Sequence, residues 1–312
     1  MLKAIILPVC YRNTPWALTL AHALGFGIYR KEGLVQHFDD PSLWKEIGYF
    51  VSQGNLELGE RVILNRSEKS YPAYFKELID ENEAIICKSF VDMDEQVEWV
   101  ASEIEKNIEE EELEVDDILI VLPNVIRAKK DYAYIMEALQ RRNIESHLAG
   151  VTTSQDEIFS MNSISVTNIY RAKGNEAPMV YVLNCNFCAK GYELIKLRNI
   201  LFTAITRSRA WVRLCGFGDL MKIIEDEINF VHENEYDLKF KIPTESELEN
   251  LRKIHRDRTA GEKVAIRKAE KGLKDFFTAI LEGDMDLENL PTELRSKLEL
   301  LLKKSGSNNE DI

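Results

Sequence analysis

Residues 164–216 read ISVTNIYRAKGNEAPMVYVLNCNFCAKGYELIKLRNILFTAITRSRAWVRLCG, and the order of apolar and polar runs in this stretch sets the fold. Two short β-branched runs flank a polar turn, and an asparagine-capped helix leads into a third apolar run. The pattern predicts strand, loop, strand, helix, strand. The loop carries Ala172-Lys173-Gly174-Asn175-Glu176, and the helix ends in Thr203-Ala204-Ile205-Thr206-Arg207-Ser208-Arg209. A lysine, a glutamate and two arginines therefore fall at element ends, where α/β sheets hold their ligands.

Working outward toward the N-terminus, Ala4 to Leu7 reads as a buried strand. Cys10-Tyr11-Arg12-Asn13-Thr14-Pro15 reads as the turn into a helix that runs from Pro15 to about Leu24. Thr14 is a natural N-cap with Pro15 at the first helical position. Ile85 to Phe90 is strand-like, and Asp94 to Ile108 repeats Val97, Val100, Ala101 and Ile104 at helical spacing. Asp94-Glu95-Gln96 is a charged first helical turn, since a Walker B acid pair would end a strand instead. The acidic run Glu109 to Asp117 reads as an exposed turn before a strand at Ile118 to Leu122 and an amphipathic helix at Tyr132 to Arg142. Helix after strand, repeated, predicts βαβ units and a mostly parallel sheet. Residues 31–84 fit less well, with a helix near Pro41 to Val51 and a strand at Arg61 to Leu64, and read as a small insertion.

Toward the C-terminus, a helix is expected over Asp219 to Ile228, then a polar stretch to Pro243. Thr244-Glu245-Ser246-Glu247 is a capping box before Leu248, Leu251 and Ile254. A boundary at Pro243 gives one domain over 1–243 and a helical tail over 244–312. Within the tail, Leu251 to Lys274 is rich in positive charge and Asp275 to Glu299 swings acidic. The positive stretch reads either as a salt-sensitive nucleic-acid contact or as a solvated helix on its neighbour. Ser305 to Ile312 reads as a disordered end.

The 312 residues, 45% of them hydrophobic, suffice for one large core or two modest ones. No run of eighteen uncharged apolar residues occurs and the start is too short for a secretory signal, so a cytoplasmic location without membrane contact is expected. Five scattered cysteines suit reduced core thiols. Cys185 and Cys188 have no second ligand pair nearby, so no metal site is expected. The net charge of −13 opposes non-specific nucleic-acid binding over the whole surface, but nucleic acids respond to local patches.

Residues 164–176 and 202–209 resemble motifs V and VI of the superfamily 1 helicases, the UvrD-like group, in their second RecA-like domain. Cys10-Tyr11-Arg12 followed by Asn13-Thr14 resembles motif IV, with Cys10 where that family carries asparagine. The resemblance implies an α/β fold with a RecA-like, mostly parallel sheet, flanking helices and a C-terminal helical tail. It implies that Arg207 and Arg12 reach the γ-phosphate of an ATP bound on a neighbouring RecA-like domain. A positioned guanidinium of this kind accelerates phosphoryl transfer by about 10³ to 10⁵. The other reading of Arg207 is a helix C-terminal cation facing the dipole, set against the family-like Phe202-Thr203-Ala204-Ile205 that precedes it. Gly174 permits the tight turn of motif V, and Glu176 matches the family glutamate on the ribose side of the nucleotide. Asn168 and Tyr170 depart from the family's Thr-x-His: Asn168 can bond a phosphate, and Tyr170 can stack on a base or pack in the core. Lys173 either orients the loop or faces DNA. Ile120 and Val166 stand too close for the large helical subdomain that UvrD-like enzymes insert there.

No Gly-x-x-x-x-Gly-Lys-Ser/Thr segment occurs, so nothing in the sequence cradles a triphosphate or places a hydroxyl on magnesium. The expectation is half of an ATP site. In that reading the chain is the C-terminal motor domain of an ATP-hydrolysing helicase acting on single-stranded DNA. ATP and Mg2+ sit on an N-terminal RecA-like domain, and the isolated chain is inactive. The alternative is a non-catalytic nucleic-acid-binding or protein-interaction module that kept the fold and lost the site. A Walker A segment encoded ahead of Met1 would separate the two.

Overall fold

The computed structural model describes residues 9–154, 157–191 and 193–255, together with residues 268, 272, 275, 276 and 278–280. The expected strand at Ala4 to Leu7 and the disordered end at Ser305 to Ile312 lie outside the described residues, as does most of the basic and the acidic tail segment. The chain divides into two compact units, Met1–His255 and Arg256–Ile312.

In chain order the first unit comprises α1 (Pro15–Phe26), α2 (Leu43–Glu46), β1 (Tyr49–Gly54), β2 (Arg61–Arg66), α3 (Tyr74–Leu78), α4 (Glu81–Ala84), β3 (Ile85–Phe90), α5 (Met93–Glu109), β4 (Ile118–Leu122) and α6 (Ala128–Gln140). It continues through β5 (Ser146–Leu148), β6 (Ile164–Asn168), α7 (Ile169–Ala172), β7 (Ala177–Val182), α8 (Leu194–Ile205), β8 (Ser208–Phe217), α9 (Asp219–Glu233), β9 (Leu238–Lys241) and α10 (Glu245–His255). Among the described residues, six strands form one sheet in the order β3-β8-β7-β4-β6-β5, and every pairing between them is parallel. Helices cover both faces. This is the α/β architecture that a RecA-like reading requires.

The alternation of side chains along the central strands shows how the layers are built. On β4, Leu119 and Val121 join a core with α1, α8 and α9, while Ile118, Ile120 and Leu122 join a second core with α5 and α6. On β7, Val180 and Val182 face the first core, and Met179 and Tyr181 the second. Strands buried on both faces read as continuous apolar runs, as these do. The helix ends follow their capping residues. Thr14 Oγ1 accepts from the Ala17 amide at 3.2 Å, and the capping box of α10 closes, with the Thr244 amide donating to Glu247 at 2.7 Å and the Glu247 amide to Thr244 at 3.3 Å. Leu248 of α10 is buried.

Two local expectations are corrected. The helix α8 has no asparagine cap: it starts after Glu193, with no side chain capping it. Asn184 instead takes a left-handed backbone (φ 58°) that turns the chain off β7, and Asn199 lies inside α8. The helix expected over Pro41 to Val51 is the single turn α2, followed by strand β1. Gly48 ends it at φ +93°, where an added Cβ would fall 2.8 Å from the Ser70 Cβ. β1, β2 and β9 form a separate antiparallel sheet.

That second sheet closes an aromatic cluster over α1. His22 is buried in ring contact with Phe26, Trp44, Tyr49 and Phe202, its Nδ1 3.0 Å from the Tyr49 hydroxyl. Burial, and secondly the Arg66 guanidinium, push its pKa down to about 3. The unfolded chain therefore takes up a proton below pH 6.5 that the folded state refuses until about pH 3. Stability is complete above pH 6.5 and falls as pH drops through that window, by about 2 kcal/mol at pH 5 from this residue. Urea unfolding at pH 7 and pH 5 should show that loss, and His22→Gln should reduce it. Equal losses in the two proteins would assign the acid sensitivity elsewhere.

Candidate functional site

β7 and β8 begin side by side, with Ala177 opposite Ser208. The residues one step upstream, Glu176 and Arg207, are thereby delivered to the same edge of the sheet, and the Ala177 amide donates to the Arg207 carbonyl at 3.1 Å. A third segment is tied to this point by Asn13. Its buried Nδ2 donates to the carbonyls of Thr206 (3.1 Å) and Ser208 (2.6 Å), fixing the loop before α1 against the turn between α8 and β8. Arg12, the neighbour of Asn13, forms an ion pair with Glu176. Three side chains from widely separated parts of the sequence meet in this way.

Arg207 is held from behind. Its Nε donates to the Thr203 carbonyl at 3.0 Å and its Nη2 lies 3.4 Å from Thr206 Oγ1, while Nη1 has no hydrogen-bond partner among the described residues. Burial lowers the Arg207 pKa, the Arg12 charge lowers it further, and Glu176 opposes both. Arg207 still remains charged at any physiological pH. Two guanidinium groups around one carboxylate leave an excess positive charge, and the Arg12 side chain keeps 47% of its surface exposed. Chemically, the arrangement can receive an anion.

The cluster lies at the amino ends of β7 and β8. Open α/β sheets hold their own ligands at the opposite, carboxyl edge, where neighbouring strands lead to opposite sides. Here that point lies between β7, which leads to β8, and β4, which leads to β5. The chain's own side chains bridge it. Gln96 Nε2 donates to Asn184 Oδ1 at 2.8 Å, the Asn184 amide donates to Gln96 at 3.1 Å, and Asn184 Nδ2 donates to Asp131 at 2.9 Å. All three residues are buried.

The remaining motif V residues occupy different surroundings. Asn168 Oδ1 accepts from the amides of Tyr170 (3.1 Å) and Arg171 (3.3 Å), so its side-chain carbonyl caps α7 and its Nδ2 is the group left to bond a ligand. Tyr170 is 61% exposed, which removes core packing as its role. Lys173 and Gly174 are exposed, and Gly174 takes φ +95° in open space, the conformation for which glycine is suited. Asn168 and Tyr170 stand at the carboxyl end of β6, across the sheet from Glu176 at the amino end of β7. The structure thus brings Arg12, Glu176 and Arg207 together and sets Asn168 and Tyr170 apart. Asn13 had no signal in the sequence, because an asparagine before a helix cap is ordinary turn chemistry.

Cys185 and Cys188 are buried free thiols. Burial drives both pKa values up, that of Cys188 to about 12. Among the described residues, no three His, Cys, Asp or Glu side chains gather as metal ligands. No helix among them is long and apolar enough to cross a membrane.

Residues 163–215 match the family described as the UvrD-like helicase C-terminal domain. The matched span holds β6, the motif V loop, β7, α8 and most of β8. A solved structure, the C-terminal domain of a possible DNA helicase from Lactobacillus plantarum WCFS1, is similar at 18% identity, covering 48% of this chain and 88% of that chain with a TM-score of 0.35. No curated protein matches the chain. The chain resembles the C-terminal half of a UvrD-like helicase, a likeness carried by residues 163–215.

Proposed function

We propose that this chain is the second motor domain of an ATP-dependent, UvrD-like helicase or translocase. In this reading it supplies Arg207 and Arg12 to the γ-phosphate of an ATP held, with Mg2+, on an N-terminal RecA-like domain. The observation that carries the proposal is the convergence of Arg12, Glu176 and Arg207 at one sheet edge. Transfer of a phosphoryl group spreads negative charge over its equatorial oxygens, and positioned guanidinium groups stabilise that charge. The Nη1 of Arg207 is available for such a contact, and Asn13 fixes the loop that carries Arg12. The bridged crevice between β4 and β7 supports a site shared with another domain over one within this sheet. Closure of the two domains on ATP would then step the protein along single-stranded nucleic acid, DNA by the resemblance, with Tyr170 and Lys173 as contacts.

The isolated chain is expected to hydrolyse no ATP, because an arginine finger without a phosphate-binding loop has no substrate to act on. Adding the RecA-like domain that carries the loop should restore turnover stimulated by single-stranded DNA. A DNA-stimulated rate of about 1 s⁻¹ or more from the pure chain alone would overturn the shared-site reading.

A further inference from the structure

We infer that the outer face of the β1-β2-β9 sheet is a second binding surface, for the backbone of single-stranded nucleic acid. The strand register defines this face. Phe50 pairs with Asn65 and Gln53 with Ile63 across β1 and β2, and Ile63 pairs with Lys239 and Arg61 with Lys241 across β2 and β9. The intervening residues Val62, Leu64, Arg66 and Leu238 are buried beneath the sheet. Since successive side chains alternate, Phe50, Arg61, Ile63, Lys239 and Lys241 project together from the other side. Of these, Arg61, Ile63, Lys239 and Lys241 line a groove of about 610 Å³ whose lining holds no acidic residue, and Phe50 stands on the same face outside that lining.

Charge is the first argument for an anionic occupant. The chain carries a net −13, yet the charged residues that line this groove are all cations, and the acidic neighbour on the face, Asp237, is already held by Asn65. Arg61 and Lys241 are direct cross-strand partners, and like charges so placed oppose the pairing unless a counter-charge lies between them. Lys241 has Glu247 at 3.5 Å and Lys239 has Asp237 at 4.0 Å, but both lysines are nearly half exposed and such pairs exchange readily. Arg61 makes no ion pair among the described residues.

Shape and chemistry then select the polyanion. A sheet face with cations beside an aromatic ring suits an unpaired strand, whose phosphates follow the cations and whose bases stack on the ring. Phe50 is 46% exposed on this face. Lys239 and Lys241, two residues apart on one strand, project about 7 Å from each other along a line that an extended backbone can track. Duplex DNA is read by a helix or ribbon entering its groove, and a flat face of this kind does not enter. The choice of nucleic acid over an acidic protein rests on the helicase reading.

The test uses the full chain with a fluorescent oligothymidine of about 20 nucleotides, titrated between about 50 and 200 mM salt. Arg61→Gln, Lys239→Gln and Lys241→Gln combined should weaken binding about tenfold or more at the low end and lower the log–log salt slope by about 2. Phe50→Ala should weaken binding while leaving the slope nearly unchanged. Contacts made elsewhere in the chain cancel in these differences. The inference is overturned if the triple variant melts like wild type and binds with unchanged affinity and slope, or if polyglutamate occupies the face more tightly than the oligonucleotide. The triple variant leaves the Arg12, Glu176 and Arg207 cluster intact, so failure of the motor reading shows up separately, as normal turnover in Arg207→Ala.

Discussion

Under the proposed shared-site function, Arg207→Ala should lower the DNA-stimulated ATP turnover of the chain joined to its N-terminal RecA-like domain by about 10³-fold, equivalent to roughly 4 kcal/mol of transition-state stabilisation. Its melting temperature should change little, because Glu176 keeps Arg12 as its partner and no buried carboxylate is orphaned. The KM for ATP should move less than kcat, since a finger acts mainly on charge that develops during transfer. Arg12→Ala should behave similarly, and the double variant should fall short of the product of the single effects, because losing either guanidinium already spoils an arrangement that needs both. The ion pair alters the expectation for Glu176. Glu176→Ala frees Arg12 from its only ion-pair partner among the described residues, so it should impair turnover as well as any ribose-side binding. Steady-state assays at saturating single-stranded DNA decide the matter. Near-normal turnover by a folded Arg207→Ala enzyme removes the main support for the motif VI assignment.

Much of this arrangement was legible in the residues. The runs at Ile118 to Leu122 and Ala177 to Val182 are apolar on both faces, which marks central parallel strands. Thr14 with Pro15, and Thr244 with Glu247, announced their helix starts through local chemistry. What depended on distant contacts was hidden. Gly48 leaves the helical path at φ +93° in a spot where any Cβ would strike Ser70, and Ser70 lies 22 positions further along the chain. β9 is four residues long and pairs with β2, more than 170 positions earlier, so neither strand betrays the other. The candidate site divides in the same way. Arg12, Glu176 and Arg207 were visible as motif residues, but the amide of Asn13 that holds their segments together was not. Nor could spacing along the chain show that Asn168 and Tyr170 sit at the opposite edge of the sheet.

Breaking the buried pair between Arg198 on α8 and Glu227 on α9 should destabilise the first unit by about 3–5 kcal/mol. The two meet in a bidentate contact of 2.8 and 2.6 Å, and both are essentially sealed from solvent. Burial pushes the Glu227 pKa up while Arg198 holds it down. Glu227→Gln leaves a guanidinium with no carboxylate in the core, so its cost should vary little near neutral pH. Arg198→Met removes the group that keeps Glu227 ionised, so the folded pKa of Glu227 rises further above its unfolded value. The deficit of Arg198→Met should therefore be smaller near pH 5 and grow as pH increases through the raised pKa. Arg198→Met combined with Glu227→Leu should recover most of the loss, because well-packed apolar residues replace a buried pair at little net cost. Urea unfolding of the three variants at two pH values measures all of this, and single-variant losses below about 1 kcal/mol would mean that the pair behaves like one at the surface. The pair also concerns the site directly. Arg207 follows the last turn of α8, and Arg198 fixes that helix against α9 and, through a 3.4 Å contact, the Leu24 carbonyl of α1. Variants that stay folded but loosen this joint should therefore lose turnover before they lose structure, by letting Arg207 drift from Arg12.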